Sequence, residues 1–305
     1  MRVDLITGFL GAGKTTFLKK YVDYLNRKGE SFLIIENEFC AWGVDTKLLR
    51  DTHDEIEDLS GYCMCCTGKE KFIAMLKRAG AEGYDRVLVE PSGIYDVDEF
   101  FSVMRNPGVA AHGKTGSLIA ILDALVPQDT TVESDYLMLT QLLAAGAVVV
   151  SKSQLYPEET GREALSFVGR HLAPYLTQEQ NPMIVCRDWD TFTDDDFRAF
   201  DECGYHEVRH DRKQLDHASL YGTYMDMVLC EEEGQLRGMI ESLFSDPACG
   251  HVLRIKGYAK AGDGTWLEVN CTREIRQVRP AQIRRGLLIV IGQDLDEEKL
   301  KEKMH

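Results

Sequence analysis

Basic residues are scarce in this chain: 35 Lys and Arg stand against 50 Asp and Glu, a formal charge of −15 over 305 residues. Nucleic acid and anionic membrane surfaces repel such a protein at long range, so neither is expected as its main partner. Long apolar runs are missing too, and no membrane span is expected. No repeat or low-complexity tract stands out. Met1 leads straight into a strand-like segment with no cationic leader, from which a cytoplasmic location is expected. Without an export signal, the nine cysteines are expected as reduced thiols rather than a disulfide framework. What is present is ordinary for a globular protein, 44% hydrophobic and 28% charged, and long enough for one large domain and a small one.

Apolar runs of strand length alternate with amphipathic stretches through the first half, the pattern of an α/β domain with a mostly parallel sheet. Strands are expected at 3–7, 32–36, 86–90, 118–123, 147–151 and 183–186. Helices are expected at 15–27, 69–79, 97–104, 134–145 and 157–176. The segment 113–116 and the region of Pro127 and Asp129 read as loops. From His206 to His217 the chain turns polar with mixed charge, which marks a linker. Beyond it strands follow one another directly, at 220–229, 251–259, 265–271, 275–278 and 286–292, with helices at 234–244 and from Asp296. That order suggests a smaller α+β domain with an antiparallel sheet. The expected division is therefore a domain over 1–205, a linker over 206–217 and a second domain over 218–305.

Gly8-Phe-Leu-Gly11-Ala12-Gly13-Lys14-Thr15 matches the phosphate-loop pattern G-x-x-x-x-G-K-[ST], between a strand and a helix as its mechanism requires. The glycines let successive backbone N–H groups curl around phosphates, and the helix N-terminus adds a positive dipole end. Lys14 is expected at the β- and γ-phosphates and the Thr15 hydroxyl on Mg²⁺, with Thr16 completing the loop. Downstream, Arg86-Val-Leu-Val-Glu90-Pro-Ser-Gly93 is an apolar strand ending in a carboxylate and then a glycine. Glu90 is expected beside Mg²⁺ or its waters, and Gly93 where backbone approaches the γ-phosphate.

Three cysteines, Cys63, Cys65 and Cys66, fall in one glycine-flanked turn, a spacing whose thiolates suit Zn²⁺ and other borderline transition metals. No second cysteine pair exists to close a structural zinc site, so a coordination position is left open, as suits a site that loads and releases its metal. Redox chemistry and a plain thiol turn are the competing readings. Glu36 and Glu38 leave the second strand; one of them is expected to join the metal or orient the attacking water, and acids solvated at a strand end are the competing reading. Glu36 is assigned to the metal, and Glu38 to catalysis with Lys14 and Glu90. His112 in a loop and His206, His210 and His217 in the linker are either further ligands or solvated surface residues.

Taken together these elements resemble the CobW-like metallochaperone GTPase family. The resemblance rests on Gly8–Thr16, on Glu36–Phe39 with Asp45 beyond, on the C-x-C-C of Cys63–Cys66, on Glu90–Gly93, and on His251–Tyr258 in the second domain. It implies a GTP-dependent P-loop protein that uses Mg²⁺, holds a transition metal (zinc or cobalt) and delivers it to a client metalloprotein. Oligomeric state is left open. Two departures stand out. The family's guanine-reading N-K-x-D appears as Ser151-Lys152-Ser153-Gln154, so the residue that would accept two hydrogen bonds from guanine is missing. Lys152 can still lie against the base and Gln154 can accept one bond, but guanine preference should weaken. Cys40 stands where the family has glycine, and either adds a thiolate or alters the loop's backbone freedom. A non-catalytic nucleotide- and metal-binding module and a P-loop kinase with structural cysteines are the alternatives.

Overall fold

Five of the six residues Arg2–Thr7 are buried, and they form strand β1, around which the first part of the chain is organised. In this computed structural model the described residues are 1–37, 56–58, 68–125, 131–155, 158–172, 181–207, 220–281 and 286–305. They fall into two units, Met1–Arg212 and Lys213–His305. After β1 the first unit carries α1 (Lys14–Lys28), β2 (Phe32–Glu36), β3 (Ile56–Asp58), α2 (Lys69–Glu82), β4 (Arg86–Glu90), α3 (Val97–Met104) and the short α4 (Pro107–Ala110). It continues with β5 (Lys114–Asp123), α5 (Val132–Ala144), β6 (Ala147–Ser151), α6 (Glu158–Leu172), β7 (Met183–Cys186) and α7 (Asp194–Glu202).

The seven strands pair in the order β3-β2-β4-β1-β5-β6-β7, and every pairing is parallel. Parallel sheets are covered on both faces, and β2, β4 and β6 are accordingly buried along their whole length. One face packs residues such as Phe72, Leu76 and Phe100 from α2 and α3. The other packs Phe17, Tyr21 and Leu25 of α1 with Phe197 and Phe200 of α7. The α1 spacing of Phe17, Leu18, Tyr21, Val22 and Leu25 places all five on one stripe, which is why this helix buries one side and leaves Asn26 and Arg27 exposed.

Most expected elements of this unit are present within a few residues of their bounds. The segment 114–116, expected as loop, instead opens β5. Lys114 and Thr115 pair with Arg2 and Val3, and a side chain at Gly116 would collide with Asp4 and Arg2, so the glycine serves a close approach rather than a turn. A helix at Asp194–Glu202 was not expected. It is capped by a box in which Thr193 and Asp196 exchange bonds, with three acids in its first turn.

The second unit comprises β8 (Gly222–Asp226), β9 (Leu229–Cys230), α8 (Glu233–Ser245), β10 (His251–Ala261), β11 (Trp266–Thr272), β12 (Arg276–Ala281), β13 (Leu287–Gln293) and α9 (Glu297–Met304). Its sheet runs β12-β11-β10-β13-β8, antiparallel throughout, with β9 added parallel to β10. Leu236, Ile240 and Leu243 of α8 and Leu300 of α9 cover Val252, Ile255, Leu288 and Val290. The single strand expected over 220–229 is divided: the Asp226 side chain accepts from Met227 N at 2.8 Å and ends β8 there. Among the described residues no helix is long and apolar enough to cross a membrane.

Candidate functional site

Because all the strands of the first sheet run the same way, their carboxyl ends share one edge, where ligands of open α/β sheets bind. That edge receives Thr7 from β1, Glu36 from β2, Glu90 from β4, Asp123 from β5 and Ser151 from β6. Glu36 lies in register with Glu90, and Asp123 with Ser151. Asn37 N donates to the Glu90 carbonyl at 2.9 Å, holding the exit of β2 against that of β4.

The phosphate loop joins β1 to α1 on this edge. At Gly8 φ is +149°, and a Cβ there would collide with the Ile121 carbonyl, so only glycine fits. Gly13, at φ +102°, is the N-cap of α1 and offers no capping side chain, and the first turn of the helix contains no acid. The positive end of α1 is therefore left for an outside anion. Lys14 is 7% exposed, and its ammonium donates to the Gly8 carbonyl at 3.0 Å and the Phe9 carbonyl at 3.5 Å. Both of these acceptors are neutral, and a charged oxygen would bond the ammonium more strongly than either. Gly11 has φ +77°; Ala12 is buried in the core and Thr16 is exposed.

Beside the lysine, the Thr15 hydroxyl donates to Glu90 Oε1 at 2.6 Å. A hydroxyl and a buried carboxylate in contact form a hard oxygen pair of the kind Mg²⁺ takes. A Cβ on Gly93 would lie 2.5 Å from the Leu10 amide nitrogen, so the loop after β4 touches the phosphate loop backbone directly. On the other flank Lys152, with the left-handed φ of 59°, donates to the Gly11 carbonyl at 2.9 Å and pairs with Asp123. A non-glycine residue in this region costs on the order of 1 kcal/mol, which the two contacts offset. Burial pushes the Asp123 carboxyl above its ordinary range, and Lys152 pulls it back only in part. Gln154 is exposed within the short turn Ser153–Leu155.

Asp123 was not singled out in the sequence, although its signal was the same as that of Glu36 and Glu90: a lone acid closing an apolar strand. Trp189 was missed as well. Its indole N–H donates to the Val150 carbonyl at 3.0 Å, and its ring lies 3.5 Å from where a Gly13 Cβ would be. Lys14, Thr15, Glu90, Gly93 and Lys152 are thus gathered on one edge. His112 is not: it lies against Gly80 near the end of α2, and its carbonyl accepts from the Met1 amino group at the opposite edge of the sheet. Glu38, Cys40, Cys63, Cys65, Cys66, His210 and His217 lie outside the described residues. Among the described residues no group of three or more His, Cys, Asp or Glu is placed to hold a metal ion.

The model of the CobW/HypB/UreG nucleotide-binding domain matches residues 2–176. YeiR of Escherichia coli, named a zinc chaperone, is 31% identical over 153 residues, covering 50% of this chain and 46% of its own. CobW of Pseudomonas aeruginosa, also named a zinc chaperone, is 28% identical over 207 residues, covering 57% of this chain and 53% of its own. A Schizosaccharomyces pombe protein named zinc-regulated GTPase metalloprotein activator 1 is 25% identical over 166 residues, covering 52% of this chain and 40% of its own. The chain spans about half the length of these relatives.

Proposed function

Because the chain belongs to the CobW/HypB/UreG nucleotide-binding family, we propose that it is a GTP-dependent metallochaperone. In this reading it couples slow triphosphate hydrolysis to the transfer of a transition metal, zinc or cobalt, to a client metalloprotein. The observation that carries the reading is the buried Lys14 beside the Thr15–Glu90 pair, at a helix end that leaves room for an anion. The zinc chaperone names of the relatives support the choice of cargo. Gly8, Gly11, Ala12, Gly13 and Thr16 form the cradle, and Lys14 bridges the β- and γ-phosphates. Thr15 and Glu90 are the residues that would hold Mg²⁺, which neutralises charge on the phosphates when bound. Gly93 offers backbone to the γ-phosphate, Glu38 orients the attacking water, and Lys152 and Gln154 meet the base. The metal cargo is assigned to Cys63, Cys65 and Cys66 with Glu36. We assign the GTPase domain to 1–205, joined through 206–217 to a smaller CobW C-terminal-like domain at 218–305.

Triphosphate binding should order the chain that follows Glu36, as γ-phosphate contacts order switch segments generally, and hydrolysis should release it. Coupling of this kind is typically about 1–3 kcal/mol, and by linkage metal must tighten triphosphate by the same factor. The test is a zinc competition titration without nucleotide, with GDP and with a non-hydrolysable GTP analogue, beside a multiple-turnover phosphate assay. Equal zinc affinities in the three states would remove the chaperone reading. Absence of turnover would leave a nucleotide- and metal-binding module. In cobalt-loaded protein, loss of the near-ultraviolet thiolate band in Cys65→Ser and Cys66→Ser is the expected result; an unchanged spectrum places the metal elsewhere.

A further inference from the structure

Helix α5 carries a polar residue that the nucleotide reading does not use. Gln141 is 2% exposed and its neighbours on the helix, Leu137, Met138, Leu142 and Leu143, are apolar and buried. A carboxamide in such a place costs free energy unless it is hydrogen-bonded, and a leucine or methionine would bury there without that cost. The Gln141 amide is spent on one target. Its Nε2 donates to the Gly93 carbonyl at 3.4 Å and to the Tyr95 carbonyl at 3.3 Å.

The loop it holds is the one in contact with the phosphate loop. Gly93 touches Leu10 so closely that a Cβ would lie 2.5 Å from the Leu10 nitrogen. The loop also has internal ties: Tyr95 N donates to the Ser92 carbonyl at 3.1 Å, and Ile94 N to Ser92 Oγ at 3.3 Å. Its two ends are fixed by Glu90 at the end of β4 and by Asp96, which caps α3 through Asp98 N at 2.9 Å. Between those ends, Gln141 ties the backbone to α5. Both of its bonds are longer than the usual value of about 2.9 Å, so a small movement of the loop would tighten or break them.

We propose that Gln141 is the positioning residue that holds the Gly93–Tyr95 carbonyls, so that the Gly93 backbone meets the terminal phosphate and the site distinguishes a nucleoside triphosphate from a diphosphate. Gln141 touches no nucleotide itself. It acts on the carbonyl of the residue whose Cα lies against Leu10 of the phosphate loop, and it passes the position of that residue to α5. A diphosphate, held by the Gly8–Thr15 cradle, does not need it. The inference rests on the triphosphate reading of the site.

The experiment compares the affinities of GDP and of a non-hydrolysable GTP analogue, with Mg²⁺, in the wild-type protein and in Gln141→Met and Gln141→Glu. Methionine keeps the volume and has no donor for the two carbonyls; glutamate, buried between two carbonyls, takes a proton and keeps a single O–H donor. Gln141→Met should bind GDP as the wild type does and lose about tenfold of its preference for the triphosphate analogue. That is the worth of about one neutral hydrogen bond, gained when the loop draws up to the terminal phosphate and both long bonds shorten. Gln141→Glu should lose less. A purely structural role would instead weaken both nucleotides together, or neither, and either outcome overturns the proposal. Failure of the wild-type protein to bind either nucleotide overturns the triphosphate reading and the proposal with it. If both variants fail to fold, the wild-type Gln141 side-chain NH₂ resonances serve instead. They should shift between the diphosphate and triphosphate states, and identical resonances overturn the proposal.

Discussion

At the amino-terminal edge of the first sheet Arg86 meets Asp4 and Asp201, and at the carboxyl-terminal edge Lys14 meets the carbonyls of Gly8 and Phe9. Both clusters are buried and both draw on β1, α1 and β4, yet they are completed differently. At the first edge three cations, Arg2, Lys28 and Arg86, face three carboxylates, Asp4, Glu30 and Asp201. Tyr21 adds its hydroxyl, 3.1 Å from Arg86 Nη1, and Ser117 N donates to Asp4 at 2.7 Å. Burial alone would raise Asp201, but Lys28, Arg86 and Arg2 outweigh it and hold its carboxyl below its ordinary value. The cluster ties β1, β4, β5, α1 and α7 together, with every charge answered by another. At the second edge Lys14 donates to the Gly8 and Phe9 carbonyls, while Lys152 is divided between the Gly11 carbonyl and Asp123. In the first cluster charge answers charge throughout; at the second, carbonyls of the phosphate loop share the cations, through bonds that a phosphate oxygen can exchange for stronger ones.

The comparison breaks most visibly at Arg86. Arg86→Ala removes the most deeply buried of the cations that answer Asp4 and Asp201 and leaves only the more exposed Arg2 and Lys28. Removing one member of a buried ion pair costs about 3–5 kcal/mol. Urea unfolding should register that loss, while the folded fraction binds nucleotide as before. A loss below about 1 kcal/mol would mean that the edge is solvated and its charges are dispensable. Lys14→Ala is the opposite case. It should remove about 2–3 kcal/mol of triphosphate binding, the worth of a charge-assisted contact, and leave the unfolding midpoint nearly in place. A folded Lys14→Ala protein with wild-type nucleotide affinity and turnover would end the phosphate-loop assignment.

Base choice gives a smaller, sharper contrast. Gln154 is exposed beside Lys152, so a substitution there should change the ligand and not the fold. Competition titrations should show GTP preferred over ATP in the wild type, and Gln154→Asp should widen the preference by about 1–3 kcal/mol by restoring a double acceptor. ATP bound more tightly than GTP by the wild type would overturn the guanine assignment.

How much of this was legible in the sequence follows from where the signals are local. The strand ends Glu36, Glu90 and Ser151 could be read because each closes a short apolar run whose burial dictates its length. The phosphate loop could be read because glycine spacing is itself the mechanism. Trp189 and Gln141 could not, because their roles depend on which strands and helices lie side by side; Asp123 carried the strand-end signal, but its partner Lys152 comes from the next strand's exit, as Gln141 gains meaning only beside Gly93. The first residues of β5 were masked by two glycines and a lysine, whose strand character comes from pairing with Arg2 and Val3 rather than from propensity. Helix α7 carried a local signal in Thr193 and Asp196, a capping pair with three acids in the first turn that favours a helix start.

The smallest effect concerns two acids, Asp201 buried and Asp123 half-buried, whose titrations run in opposite directions. Asp201 is held below its ordinary value of 3.8, so it contributes stability above that pH and loses it as the pH falls through its folded value. Asp123 is held above the same ordinary value, first by burial. Its protonated form is the one the fold favours, so its contribution is full at acid pH and is lost as the pH rises through its folded value. Once ionised, Asp123 is then a cost carried by the nucleotide edge, with Lys152 answering only part of it. Asp123→Asn keeps an acceptor for Lys152 and removes the charge, so it should stabilise the nucleotide-free protein at pH 7 by about 0.5–1 kcal/mol, with a smaller gain toward acid. Asp201→Asn should destabilise at pH 7, by an amount that shrinks as the pH falls. Urea midpoints for both variants between acid and neutral pH test the pair. Parallel pH profiles would mean that the two edges of the sheet are built alike after all, and that Asp123 is one more structural acid.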